Sequence, residues 1–228
     1  MVHFFSSTTR PKMNLAPVVI VGLGRFGSAM ARELTDHGVE VMGIDSRQRM
    51  VQNAADIVTN TAVADSTDIE ALRQLGVDQV GRAVVAIGSN LEASILTASN
   101  LMELGVKDVW AKADSKAHGR ILTQLGVHHV VRPEADTGRR VAHMLGGHIQ
   151  EFVQFNKGYS MIMTKPNKVL LRDPLDNRRL WEDYKVHVVS VRSDGGQWVP
   201  ATDGRDFEPT DALILAGSPE RIETFARK

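Results

Sequence analysis

The sequence has no cysteine. Disulfides, cysteine-ligated zinc and thiol catalysis are therefore excluded, and a reducing, cytosolic location is compatible with the chain. Aromatic side chains are only 5% of the residues. The 43% that are hydrophobic must then build an aliphatic core, as Val- and Ile-rich buried strands do. Charge of one sign is also missing, because 27 Lys and Arg balance 27 Asp and Glu. A net charge of zero gives no electrostatic case for nucleic acid or an anionic membrane as a partner. No apolar run approaches the roughly 20 residues that span a bilayer. Residues 1–16 lack the apolar centre of a signal peptide and read as a disordered tail, with Met13 an alternative start. A Walker lysine loop, a GxSxG elbow and a helix-turn-helix are absent too. The eight histidines form no cluster at metal-ligand spacing: His128 and His129 face opposite sides of a strand, and His143 and His148 straddle a glycine pair.

What is present is alternation. Short apolar runs at Val18–Val21, Val39–Ile44, Ile57–Asn60, Ala83–Ile87, Asp108–Ala113 and Val127–Val131 read as strands. Between them, Arg25–His37, Arg47–Ala54, Asp68–Leu75, Leu91–Leu104 and Ser115–Leu125 read as helices. Six strands alternating with helices predict a parallel, doubly wound α/β sheet. Gly38, Gly76, Gly105 and Gly126 each follow a helix and read as left-handed C-caps. A further helix is expected from Glu134 to Gly147, after Pro133. Beyond it the texture changes to short strand-like pieces at Ile149–Phe155, Tyr159–Met163, Val169–Leu171, Val186–Val191 and Ala212–Ala216, with a last helix from Pro219 to Ala226. This predicts a second, small α/β domain. The expected division is a tail at 1–16, a nucleotide-binding domain at 17–135, a crossover helix and linker at 136–155, and the small domain at 156–228.

The sharpest signal is Gly22-Leu23-Gly24-Arg25-Phe26-Gly27, which follows one apolar run and opens a helix, while the next apolar run ends in Asp45. Strand, glycine turn, helix, strand and acid in that order form the fingerprint of a Rossmann-type βαβ unit that holds an adenine nucleotide. Gly22 permits the turn, Gly24 lets a phosphate approach bare backbone, and Gly27 lets the helix lie close on the strand. The helix N-terminus offers N–H groups and the positive end of its dipole. Asp45 would accept from a ribose 2′-hydroxyl and repel a 2′-phosphate, which sets NADP aside.

Ligands in open α/β sheets sit beyond the carboxyl ends of the strands. The residues expected there are Gly22, Gly24, Arg25, Phe26, Gly27, Asp45, Ser46, Arg47, Asp65, Ser66, Ile87, Gly88, Ser89, Asn90 and Lys112, with Glu134 beyond the sixth strand. Several have plainer readings: Asp65 as a turn cap, Asn90 as the N-cap of the next helix, Lys112 as a rim charge, Glu134 as a first-turn residue. A dehydrogenase needs a proton-transfer group and a substrate domain beside such a fold, and neither is visible.

These residues resemble the cytosolic regulatory subunits of Trk/Ktr-type potassium uptake systems, the KTN or RCK proteins. The resemblance is carried by Val21 to Gly27, Asp65-Ser66-Thr67-Asp68, Leu72 to Val77, Val84 to Ser94, Glu103 to Val106, Val109 to Ala113, His118, Leu125-Gly126 and Arg132-Pro133-Glu134. The chain departs from the family pattern at Arg132, where many relatives have histidine, and at Thr137-Gly138, where Met-Gly is common. The resemblance implies a nucleotide-binding domain that dimerises, a small RCK-C domain, and assembly into an octameric ring at the cytoplasmic face of a membrane potassium-translocating subunit. It implies no enzyme activity, with ATP or ADP as the ligand, and NAD or NADH in some members. Arg25 would then reach the terminal phosphates, Asp45 the ribose, and Glu134 a divalent cation or Na+ at the dimer interface. Cyclic di-AMP binds the small domain of some relatives, and the corresponding place here is Trp181, with Arg178 and Arg179 nearby. The alternatives are an NAD-dependent oxidoreductase and a nucleotide sensor with another partner.

Overall fold

The computed structural model describes residue 13 and residues 15–228; the rest of the expected tail lies outside the described residues. The chain divides into two compact units, one ending at Pro133 and the other running from Glu134 to Lys228.

The first unit is a six-stranded parallel sheet in the order β3-β2-β1-β4-β5-β6. Its strands are β1 (Val18–Val21), β2 (Val41–Asp45), β3 (Asn60–Val63), β4 (Arg82–Val85), β5 (Asp108–Lys112) and β6 (His129–Val131). Between them run α1 (Arg25–Asp36), α2 (Gln48–Ala54), α3 (Ile69–Gln74), α4 (Leu91–Glu103) and α5 (Lys116–Gln124). All four residues of β1 are at most 1% exposed, as expected of a central strand covered on both faces. The period of two divides them between two cores. Val18 and Ile20 pack with Ala31, Val51 and Ala54 from α1 and α2. Val19 and Val21 pack with Leu72, Ala98, Leu101 and Leu122 from α3, α4 and α5. Each of those fully buried leucines contributes roughly 1.5–3 kcal/mol of burial.

The expected C-caps are present: Gly38, Gly76, Gly105 and Gly126 have φ of +77°, +74°, +76° and +88°. The third strand differs from expectation. Ile57 and Val58 donate to the carbonyl of Ala54 and close the turn after α2, and β3 begins at Asn60. It is an edge strand, half exposed, so its polar Asn60 and Thr61 hide it from a reading based on apolar runs.

The second unit is a five-stranded antiparallel sheet in the order β10-β9-β11-β8-β7. It contains α6 (Pro133–Met144, which starts at the boundary), β7 (Glu151–Asn156), β8 (Tyr159–Thr164), α7 (Lys168–Arg172), α8 (Asn177–Tyr184), β9 (Val186–Arg192), β10 (Val199–Pro200), β11 (Ala212–Gly217) and α9 (Pro219–Ala226). Residues 136–155 contribute most of α6 and β7 to this unit. His143 of α6 stacks on Phe152 of β7, with ring centroids 3.9 Å apart, and its Nδ1 lies 2.6 Å from Glu223 Oε1 of α9.

Val169–Leu171, expected as a strand, is the helix α7. Asn167 caps it by accepting from the Leu170 N–H, and its own amide donates to the Phe225 carbonyl at the end of α9. The cap overrides the β preference of three apolar residues. Helix α8 was not expected, because it is mostly charged. Asp176 caps it, and Arg178–Glu182 and Arg179–Asp183 pair along its outer face.

Buried Asn177 joins α8 to the sheet. Strand β10 is two residues long and pairs β9 only at Ser190 and Val191. The Asn177 amide takes over at Val188, donating to its carbonyl at 3.1 Å and accepting from its N–H at 2.8 Å. Asn177→Leu leaves both backbone groups unpaired. It is expected to lower stability by about 2–4 kcal/mol, read as a reduced urea midpoint together with faster hydrogen exchange at the Val188 amide.

Candidate nucleotide site

In this strand order the crevice opens beyond the carboxyl ends of β1 and β4, where the connections leave the sheet in opposite directions. The glycine turn stands there. Gly22 has φ +99°, and its N–H donates to the Ile44 carbonyl at 2.7 Å. A Cβ on Gly22 would lie 3.0–3.1 Å from the backbone of Ala86 and Ile87, so the turn after β1 is pressed on the chain leaving β4. A Cβ on Gly27 would lie 1.9 Å from the Gly22 carbonyl oxygen, which admits only glycine. A Cβ on Gly24 would meet nothing within 4 Å: its face is open to the crevice.

Helix α1 has no side-chain N-cap and no acidic residue in its first turn. By contrast α3, α4 and α5 are capped by Asp68, Asn90 and Ser115. The first N–H groups of α1 and its positive dipole end therefore rely on water or a ligand. Arg25 is exposed at the first helical position and Phe26 is half-buried.

Asp45 ends β2 and is 5% exposed. Its Oδ2 accepts from the Leu23 N–H at 2.8 Å and from Arg47 Nη2 at 3.1 Å. Its Oδ1 accepts from the Arg47 N–H at 2.9 Å and from Arg47 Nε at 3.0 Å. Burial pushes this carboxyl upward, but the Arg47 and Leu23 hydrogen bonds and the Arg47 charge outweigh it and hold it below its ordinary value. Ser46 is exposed beside it.

The loop after β3 holds Asp65 at the surface, where Oδ1 accepts from the N–H and hydroxyl of Thr67. Those bonds lower its pKa and make it the cap of its own turn. Ser66 points inward: its hydroxyl lies 2.7 Å from that of Thr97 on α4. The Asn100 amide donates to the carbonyls of Ser66 and Thr67. Sequence reasoning missed Thr97 and Asn100 because helical spacing alone marks them only as residues on one face of α4.

After β4, Ile87 and Gly88 are half-buried and Ser89 and Asn90 exposed; Asn90 caps α4 by accepting from the Ala93 N–H. Lys112 is 9% exposed at the end of β5 and lies 3.2 Å from Asp114 Oδ1. A Cβ on Gly88 would be 2.7 Å from Lys112 Nζ, so Gly88 leaves room for the ammonium. Glu134 is exposed and opens the second unit. Among the described residues no group of three or more His, Asp or Glu is placed to hold a metal ion.

His118 stands behind this rim on α5, 2% exposed. Its Nδ1 accepts from the Asp114 N–H at 3.3 Å, and its Nε2 has no partner among the described residues. Burial pulls its pKa below 6.5, against the nearby charge of Asp114.

Two expectations follow. Gly27→Ala drives a Cβ into backbone and should lower stability by more than about 3 kcal/mol, whereas Gly24→Ala should cost less than about 1 kcal/mol in the same urea titration. For His118 the folded chain favours the neutral ring, so the unfolded chain binds more protons between the folded pKa and 6.5. Stability should be full above that range and fall as pH drops through it. Melting temperatures from pH 7.5 to 5 should show this slope, and His118→Gln should flatten it.

Comparison with known proteins adds four findings. The model of the TrkA-N domain family matches residues 18–133. The chain is 31% identical over 210 residues to the Ktr system potassium uptake protein C of Bacillus subtilis (strain 168), covering 92% of this chain and 95% of the relative. It is 33% identical over 205 residues to the Ktr system potassium uptake protein A of Vibrio alginolyticus, covering 89% and 93%. A solved structure of the GsuK channel bound to NAD aligns with a TM-score of 0.62 at 12% identity, over 94% of this chain and 40% of that one; at this identity the likeness is one of fold.

Proposed function

This chain belongs to the TrkA-N domain family, and on that premise we propose that it is the nucleotide-binding regulatory subunit of a potassium uptake system, with ATP and ADP setting its two states. The observation that carries the reading is the glycine turn at the uncapped N-terminus of α1, open at Gly24 and flanked by Asp45. It lies in a chain that shares about a third of its residues with two potassium uptake proteins over almost their whole length. The partner we assign is a membrane potassium-translocating subunit, on the likeness to the two potassium uptake proteins; no helix among the described residues is long and apolar enough to cross a membrane. We place the chain at the cytoplasmic face, as a homodimer that builds an octameric ring.

A switch requires contacts that one ligand makes and the other does not. ATP and ADP differ by one phosphate. Arg25, exposed at the first residue of α1, is the residue we assign to it through a charge-assisted bond. A coupling of about 1–3 kcal/mol per site, typical of allosteric proteins, would be multiplied around a ring. NAD or NADH is the second ligand class, since the GsuK channel, of like fold, was solved bound to NAD. By resemblance we also assign Glu134 to an interface cation and cyclic di-AMP to the second unit. We read the site as one that binds without converting, and keep residues 17–135, 136–155 and 156–228 as nucleotide domain, crossover and RCK-C domain.

The test is calorimetric titration with ATP, ADP, NAD+ and NADH, followed by chromatography of the recovered nucleotide. ATP and ADP should bind near micromolar and be recovered intact. Asp45→Ala, which releases the Leu23 N–H that anchors the glycine turn, should weaken both, and Arg25→Ala should weaken ATP about tenfold more than ADP. Binding of NAD+ or NADH alone, with hydride transfer to a carbonyl substrate, would replace this reading with an oxidoreductase.

A further inference from the structure

Resting on that reading of the site as an adenine-nucleotide crevice, we propose that Arg47 adapts it to accept a 2′-phosphorylated adenine nucleotide, NADP+ or NADPH, alongside nucleotides with a free 2′-hydroxyl. The residue at the end of β2 normally reads the ribose by accepting hydrogen bonds. Here that acceptor is already engaged. An ionised carboxylate offers about four acceptor positions, and Asp45 receives four donors: the N–H groups of Leu23 and Arg47, and Nε and Nη2 of the Arg47 side chain. A ribose hydroxyl would have to displace one of them, and the two from the guanidinium are charge-assisted.

The same pairing changes the charge at the ribose end. Asp45, expected from the sequence to repel a 2′-phosphate, is neutralised by a fork-on-fork contact with Arg47. Its lowered pKa agrees with that partner. A guanidinium carries five N–H groups in a fixed plane, and two of them are used on Asp45. The Arg47 side chain is 58% exposed while that of Asp45 is 4%, so the guanidinium edge not engaged by Asp45 is on the solvent side of the β2 end. The exposed hydroxyl of Ser46 lies next to it in the chain. The end of β2 therefore presents donors and positive charge outward, with its carboxylate tucked behind them. A phosphate, planar-fork compatible and carrying about −1.5 to −2 charges at neutral pH, suits that surface better than a hydroxyl does.

Titration of the full chain with ADP, NAD+ and NADP+ tests this, with Arg47→Ala and Arg47→Lys beside the parent. NADP+ should bind within about tenfold of NAD+. Arg47→Ala should weaken NADP+ by tenfold or more while changing NAD+ by threefold or less, and Arg47→Lys, which keeps the charge without the fork, should fall between. NADP+ affinity should also rise between pH 6 and 7.5, as the 2′-phosphate gains its second charge near pH 6, while NAD+ affinity stays flat. Binding of ADP or NAD+ with NADP+ more than tenfold weaker than NAD+ overturns this inference alone, as does an equal loss of both dinucleotides in Arg47→Ala. Silence of all the nucleotides, ATP included, removes the crevice reading and this inference with it. Should Arg47→Ala not fold, Arg47→Lys decides: it should weaken NADP+ more than NAD+, and an equal change in both overturns the inference.

Discussion

Where Gly27 meets the carbonyl oxygen of Gly22 there is no room for a side chain, since a Cβ would stand 1.9 Å from that oxygen. This contact seats the first turn of α1 against the end of β1, and the rest of the crevice depends on it. It fixes where the free N–H groups of the helix point. It holds the turn so that the Leu23 N–H reaches Asp45 on the neighbouring strand. It also lets Leu23 fold its side chain onto Gly43, where even a Cβ would come within 2.8 Å of the leucine Cδ2. Backbone packed this tightly gives way only by displacing the strand beneath it.

Around that contact the rim is held by pairs that consume much of its polar capacity. Ser66 is bound to Thr97, two carbonyls of its loop to Asn100, Asp65 to Thr67, and Asn90 to the helix it caps. These groups position the loops. At the glycine turn and the end of β2, the uncapped N–H groups of α1, the open face of Gly24 and the exposed side chains of Arg25 and Arg47 remain. A site made of donors is suited to anions, and a saturated buried carboxylate adds rigidity more than it adds charge.

The second unit uses different means on a similar aliphatic core. Its sheet is antiparallel, with Leu213, Leu215, Val186, Val188 and Val191 at 1% exposure or less. Its helices are attached at defined points: Asn167 to the end of α9, Asn177 to the gap beside β10, and α6 through Arg140 to Glu151 and His143 to Phe152 and Glu223. Such contacts fix register at little cost when every donor and acceptor is matched, as Asn177 is with both groups of Val188.

The sequence by itself determined the elements whose signal is local. The continuous apolar run of β1, the glycine caps after α1, α3, α4 and α5, and the glycine turn with Asp45 at its distance are all readable, because chain stereochemistry and burial period act over a few residues. It also determined that the first sheet is parallel, since strands and helices alternate. Elements set by their surroundings were not readable. β3 is a strand because β2 offers its edge to Asn60–Val63, and Val169–Leu171 is helical because Asn167 caps it and ties it to Phe225. Helix α8 is amphipathic with few apolar residues, and its place is set by the Asn177 amide, buried Leu180 and the contact of Tyr184 with Phe225. Likewise the residues of the glycine turn could be named from the chain, but the state of Asp45 could not. Whether a carboxylate at the end of a strand is an open acceptor or a filled one depends on which donors the fold brings within 3 Å. Three of the four come from Arg47, two residues along, with its side chain folding back, and the fourth comes from the glycine turn, 22 residues away. The approach of Leu23 is fixed by tertiary packing, which buries Asp45 and leaves the Arg47 guanidinium on its solvent side.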